Sequence, residues 1–126
     1  MLDMEASIEH LSRGTIKHAE HLLIVVEPYY RAMETAGRIA VLAPQLGITH
    51  VLAVANKVRT PDEERALRAY CDEHGLEIGC LLPFDDRVTA ADRDGRPFLD
   101  AAPDSDFVRE IERLADRLSA AHASAR

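Results

Sequence analysis

At 126 residues the chain has the length of one domain, able to bury about two thirds of its extended surface. Its net charge of −7 and pI near 5.3 repel nucleic acid backbones and anionic lipid, which argues against both as partners and favours small or basic ones. No apolar run reaches the ~18 residues of a membrane-spanning helix, and the acidic start at 1–14 has no signal-peptide core, so a single cytoplasmic domain over 1–126 is expected.

The chain opens on LDMEASIEHLSRGT, in which Asp3 closes a short apolar start and an acidic run predicts a helix from Glu5 to His18. An Asp at the end of a buried strand is where a nucleotide hydrolase holds Mg²⁺ through water, with a Gly-rich phosphate loop well upstream on another strand. Here hardly three residues precede it. The six glycines, Gly14, Gly37, Gly47, Gly75, Gly79 and Gly95, are scattered singly, and no G-x-x-x-x-G-K-[ST] is present. Read alone, Asp3 is an N-cap for the helix from Glu5.

Three nearly continuous apolar runs follow, at 22–26, 51–55 and 78–82, the pattern of parallel strands covered on both faces. Between the first two, residues 29–46 carry Met33, Ala36, Ala40 and Ala43 at helical intervals, and Gly47 supplies a stop. Between the second and third, Thr60, Pro61 and Glu63 form an N-cap, a first-turn proline and a capping-box acid, while Leu67, Tyr70, Cys71 and His74 line one face before Gly75. These are two βαβ units, and right-handed crossovers lay their three strands side by side. Residues 83–106 are polar and turn-rich, with room for one short helical piece. A last helix follows on Val108, Ile111, Leu114, Ala115 and Leu118, with Asp104 as its cap and a frayed tail at 121–126. The predicted fold class is α/β: three layers, α/β/α, on a parallel sheet of at least three strands.

Cys71 falls in a helical pattern and Cys80 in a strand pattern, so neither a CxxC motif nor a zinc knuckle is built, and both read as reduced core residues. Of His10, His18 and His21, only the last two have helical spacing and no further ligands are evident, so no metal site is assigned to them. Asp85, Asp86, Asp92 and Asp94 read as a solvated acidic loop, one of which could approach a ribose. In an open parallel sheet, ligands sit beyond the carboxyl ends of the strands. Those positions are Glu27 and Pro28, Asn56 and Lys57, and the run from Pro83 to Asp86. An Asn after a buried strand can offer its amide to an adenine edge, donating and accepting at once, and a backbone carbonyl near Pro83 could close the same pocket. Taken by itself, Asn56 is an ordinary turn residue.

Taken together and in order, LDMEASIEHLSRGT, IVVEP, a long helix ending in LG, VLAVANKV and LLPFDDRV resemble the C-terminal half of the MinD/ParA class of P-loop ATPases. Within that class the chain looks most like the carbon monoxide dehydrogenase accessory (CooC-type) ATPases, which take part in nickel insertion. The resemblance covers residues 2–120, with IEHLSRGT and VVEP its most specific parts. It implies a partial P-loop NTPase fold lacking the P-loop strand, and ATP or ADP with Mg²⁺ as ligand. Carried over residue by residue, Asp3 becomes the Walker B-type acid near Mg²⁺ and the metal-site residue. Residues 4–8 become the switch that senses the γ-phosphate, with Ser7 where the family usually has a Gly that allows close backbone approach. Asn56 becomes the base-reading side chain, Lys57 flanks base or ribose, and Pro83 with Phe84 forms the adenine-side wall.

The family's front half, with the P-loop, its lysines, the water-activating acid and the CxC motif of the nickel-linked members, has no counterpart in these residues. The family hydrolyses ATP; this chain alone is expected to be inactive, as the product of a truncated gene or one part of a split protein. The implied partners are a second copy in a homodimer, an N-terminal half supplied in trans, and a nickel metalloenzyme. The family places its P-loop strand beside the run at 22–27, so that edge, without charge, proline or glycine in LLIVV, is expected to be sticky. Two other readings are a nucleotide-independent interaction module and a phosphoacceptor receiver domain. The second needs five strands and an early acidic cluster.

Overall fold

A computed structural model describes residues 20–124. Asp3, Ser7 and the helix predicted from Glu5 to His18 lie outside the described residues. Three strands, β1 (His21–Val26), β2 (His50–Val58) and β3 (Glu77–Pro83), form one parallel sheet in the order β1-β2-β3. Helix α1 (Tyr30–Leu42), continued by a 3-10 turn (Ala43–Leu46), connects the first pair, and α2 (Pro61–Glu73) the second. After β3 come α3 (Asp86–Arg93), α4 (Phe98–Ala101) and α5 (Asp106–Ser124).

The alternation of side chains along each strand builds two cores. Ile24, Val26, Ala53 and Ala55 face α1 and α2, where they meet Ala36, Ile39, Leu67 and Cys71. The alanines at 53 and 55 are fully buried, and their small side chains leave room for two helices over one face. Leu52, Val54, Cys80 and Leu82 point the other way, onto Leu114 of α5, with Leu23, Phe107 and Leu118 around them. The expected three layers are therefore present, and each fully covered leucine or valine contributes on the order of 1.5–3 kcal/mol. Gly79 sits where α5 crosses β3: a Cβ there would stand 3.2 Å from Leu52 Cβ and 3.3 Å from Leu114 Cδ1. The pairing shifts at the same place, with Ala53 opposite Ile78 and Val54 opposite Cys80.

Local chemistry explains the boundaries. The capping box of α2 forms as read, with Glu63 N–H donating to Thr60 Oγ1 at 3.2 Å and Glu63 Oε2 accepting from Arg59 N at 2.6 Å and Thr60 N at 3.3 Å. The helix predicted over 29–46 is α-helical only to Leu42, because Pro44 has no N–H to continue the ladder and the chain tightens into the 3-10 turn, closed by Gly47 at φ +83°. Of the face predicted for α2, Leu67 and Cys71 are buried, Tyr70 is half-buried, and His74 is exposed with its ring stacked on Tyr70. Residues 83–106 hold two helices rather than one. The first of them, α3, starts from Asp85, whose carboxylate accepts from Arg87 N–H at 3.0 Å. The cap of α5 is Ser105, not Asp104: the buried Ser105 Oγ accepts from Val108 N–H at 3.2 Å. That helix runs on to Ser124, into the segment expected to fray.

Among the described residues β1 pairs with β2 alone, and Val25 on it is 61% exposed. No described helix is long and apolar enough to cross a membrane.

Candidate functional site

The parallel sheet brings the ends of its three strands to one side of the molecule, and there β2 departs from regular pairing. Ala55 lies opposite Leu81 and Val58 opposite Pro83, so Asn56 and Lys57 include one residue more than β3 matches. The result is a bulge. Lys57 takes φ +57°, the single non-glycine with positive φ among the described residues, a conformation that costs an L-residue roughly 1–2 kcal/mol. Asn56 Oδ1 accepts from Lys57 N–H at 3.0 Å. That bond orients the amide, whose NH₂ group makes no hydrogen bond among the described residues and can serve a ligand.

Beside the bulge stands Glu27, the residue after β1. Its Oε1 lies 2.8 Å from Lys57 Nζ, and its Oε2 accepts from Tyr29 O–H at 2.9 Å. Lys57 first and Tyr29 second hold the Glu27 carboxyl below its usual range, and the same carboxylate pushes the Tyr29 phenol up. On the β3 side, Phe84 N–H donates to Val58 O at 2.8 Å, which continues the β2–β3 connection past Pro83. The Arg59 guanidinium lies 4.2 Å from the centroid of the Phe84 ring, a cation–π contact. Asp85 is engaged by Arg87, with Nη2 2.6 Å from Oδ2 and Nε 2.9 Å from Oδ1, and Arg87 holds its carboxyl low.

Of the residues singled out from sequence, Asn56 and Lys57 thus stand between Glu27 on one neighbouring strand end and Pro83 with Phe84 on the other. Phe84 presents one ring face to Arg59. Asp85 serves as helix cap and ion-pair partner. The partners Tyr29 and Arg59 were missed, as was the left-handed backbone of Lys57; the signal available was an Asn-Lys pair, with no glycine, directly after a buried β-run. An open groove of about 530 Å³ runs beside β3, lined among others by Arg59, Glu64, Arg68, Cys80, Pro83 and Glu110, and neither Asn56 nor Lys57 lines it. Cys71 and Cys80 are buried and unpaired, and burial pushes both thiols up. Among the described residues no three His, Cys, Asp or Glu side chains gather as a metal site; His21 instead stacks on His50 at 4.8 Å.

No family model matches the chain. It is 39% identical over 114 residues to an uncharacterised ATP-binding protein of Methanocaldococcus jannaschii, covering 90% of this chain and 43% of that protein. It is 40% identical over 103 residues to the carbon monoxide dehydrogenase accessory protein CooC of Rhodospirillum rubrum, covering 82% of this chain and 38% of CooC. The fold matches the MinD cell division protein of Aquifex aeolicus with a TM-score of 0.71 at 19% identity, over 83% of this chain and 46% of MinD. The chain therefore spans less than half the length of these relatives. By sequence the chain is a relative of ATP-binding proteins that include CooC, and its fold is that of MinD, in agreement with the resemblance to the MinD/ParA class.

Proposed function

We propose that this chain is the base-reading, C-terminal half of a MinD/ParA-like nucleotide-binding domain and takes the adenine end of ATP or ADP at the carboxyl edge of its sheet. The observation that carries this reading is the Asn56–Lys57 bulge, which holds an amide donor and acceptor in a fixed plane at the end of the central strand. Adenine offers a donor beside an acceptor, and a matched amide rejects guanine because the exchange leaves buried polar groups unpaired. Lys57 flanks the base or ribose, and Pro83 with Phe84 bounds the adenine side, the ring reached on the face that Arg59 leaves open.

Phosphoryl transfer rests on positioning and charge stabilisation. The groups for both, apart from Asp3 near Mg²⁺ and Ser7 near the terminal phosphate, lie outside these 126 residues in this reading. In this reading they belong to the part of the relatives' length that the chain does not cover. The similarity to CooC, a carbon monoxide dehydrogenase accessory protein, supports maturation of a nickel metalloenzyme as the setting, and a cytoplasmic location is proposed with it. Calorimetric titration of the chain with ATP, ADP and GTP is the test. Weak binding that prefers adenine and loses that preference in Asn56→Ala is the expected result; equal binding of ATP and GTP, unchanged in that variant, refutes it. A second reading, a nucleotide-independent interaction module, is favoured by the β1 edge, unpaired among the described residues, with its exposed Val25, and self-association with no nucleotide heat would select it.

A further inference from the structure

We infer that Glu27 is a positioning residue for base recognition: by holding the Lys57 ammonium it keeps the Lys57 backbone left-handed, and so sets the plane of the Asn56 amide. The inference rests on the reading of Asn56 as the base contact, and adds a residue that itself touches no nucleotide.

The argument starts from the strained backbone. A glycine or asparagine enters the left-handed region easily, a lysine does not, yet Lys57 stands there at φ +57°. Something outside the residue must favour that conformation. Among the described residues two side-chain interactions reach it: its N–H donates to Asn56 Oδ1 at 3.0 Å, and its ammonium meets Glu27 Oε1 at 2.8 Å. The first is local and joins Lys57 to the side chain whose direction is in question. The second is the one that refers Lys57 to a different strand. Val26 is the last β1 residue paired with β2, opposite Ala55, so Glu27 follows directly from a fixed point of the sheet.

Glu27 is also prepared for the task. Its second oxygen is taken by Tyr29 O–H at 2.9 Å, and Tyr29 N–H donates to Glu27 O at 2.8 Å, so a tight turn and a phenol both orient the carboxylate before Lys57 is counted. The neighbouring cation, Arg59, lies on the Phe84 ring and acts on Glu27 through its charge alone, the smallest of the influences that lower that carboxyl. An exposed ion pair stabilises little as a rule. Here a small bias suffices, because it acts on one backbone torsion, and that torsion decides whether the Asn56 amide stays in the plane that its bond to Lys57 N–H defines.

The test uses the full chain and three variants, Glu27→Gln, Lys57→Gly and Glu27→Gln/Lys57→Gly, with circular dichroism as the check that each folds. Without nucleotide, amide hydrogen exchange at Lys57 is expected to quicken about threefold in Glu27→Gln, the factor that the usual worth of an exposed ion pair implies, and the Asn56 side-chain NH₂ resonances are expected to move. Unchanged exchange and unmoved resonances overturn the inference whatever nucleotide does. With ATP and GTP as probes, Glu27→Gln is expected to reduce the adenine preference by up to about threefold, the same factor, and so by less than Asn56→Ala does. In the Lys57→Gly background the same Glu27→Gln change should leave the preference where Lys57→Gly alone sets it, since glycine takes the left-handed backbone unaided. A double variant with less adenine preference than Lys57→Gly alone also overturns the positioning role, because it indicates that Glu27 meets the nucleotide itself. If Asn56→Ala leaves the preference intact, the base-reading assignment fails instead, and the Lys57 exchange result still decides whether Glu27 governs the bulge.

Discussion

Replacing Gly79 by alanine inserts a methyl group at the closest approach of α5 to the sheet. The new carbon would stand 3.2 Å from Leu52 Cβ, 3.3 Å from Leu52 Cδ1 and 3.3 Å from Leu114 Cδ1. Leu52 Cβ is held by the β2 backbone, so it is α5 that must yield by a few tenths of an ångström. Overpacking of this kind costs about 1–3 kcal/mol, and the stiffer unfolded chain of an alanine variant returns about 0.4–1 kcal/mol. A net loss of about 1–2 kcal/mol is expected, which lowers Tm by roughly 4–8 °C per kcal/mol in a domain near 100 residues. Leu114→Ala alone should cost about 2–5 kcal/mol by opening a cavity. Together the two changes should cost less than their sum, by about 1 kcal/mol, since the methyl enters the space that the leucine leaves. Urea denaturation followed by circular dichroism on the four proteins measures this. Additive costs, or a Gly79→Ala protein more stable than the parent, would refute the account in which α5 lies directly on β3 as the third layer.

Three other outcomes follow from the same structure. The β1 edge, unpaired among the described residues, should drive self-association visible in light scattering, and Val25→Lys should suppress it with little loss of stability because Val25 is 61% exposed; a monodisperse parent chain would count against this. Glu27 and Asp85 both have lowered carboxyl pKa values, so their contribution is complete above the ordinary carboxylate pKa and is lost as pH falls through the lowered folded values. Stability measured from neutral pH downward should therefore decline less steeply in Glu27→Gln than in the parent, and an identical decline would show that the Lys57 and Tyr29 contacts are not kept in solution. With Mg²⁺ and ATP the chain alone should show no turnover above buffer, whereas robust turnover abolished by Asp3→Ala would mean that these residues suffice for catalysis.

The sheet was legible because strands covered on both faces leave unbroken apolar runs, and α2 because Thr60, Pro61 and Glu63 spell its start. The helices of 83–106 were harder to see. Ala91 is the one residue of α3 that is buried, so there was little apolar period to detect, and Asp85 was one capable cap among several acids. At α5 both Asp104 and Ser105 are good capping residues, and the burial of Ser105 selects it. At the site, the rule that ligands sit beyond strand ends located Glu27, Asn56 and Pro83. It did not foresee the bulge, which adds a residue to β2 and breaks the simple alternation on which neighbour relations were read. The contacts of Lys57 with Glu27 and of Arg59 with Phe84 follow that break.

The central claim, that the carboxyl edge of this sheet reads adenine, is tested most directly by mapping ¹⁵N chemical shifts of the whole chain during titration with ATP. The account predicts changes at Asn56, Lys57 and Phe84, repeated with ADP and much smaller with GTP. Shifts confined to other surfaces, such as the groove between Arg68 and Glu110, or an equal response to GTP at Asn56, would contradict it.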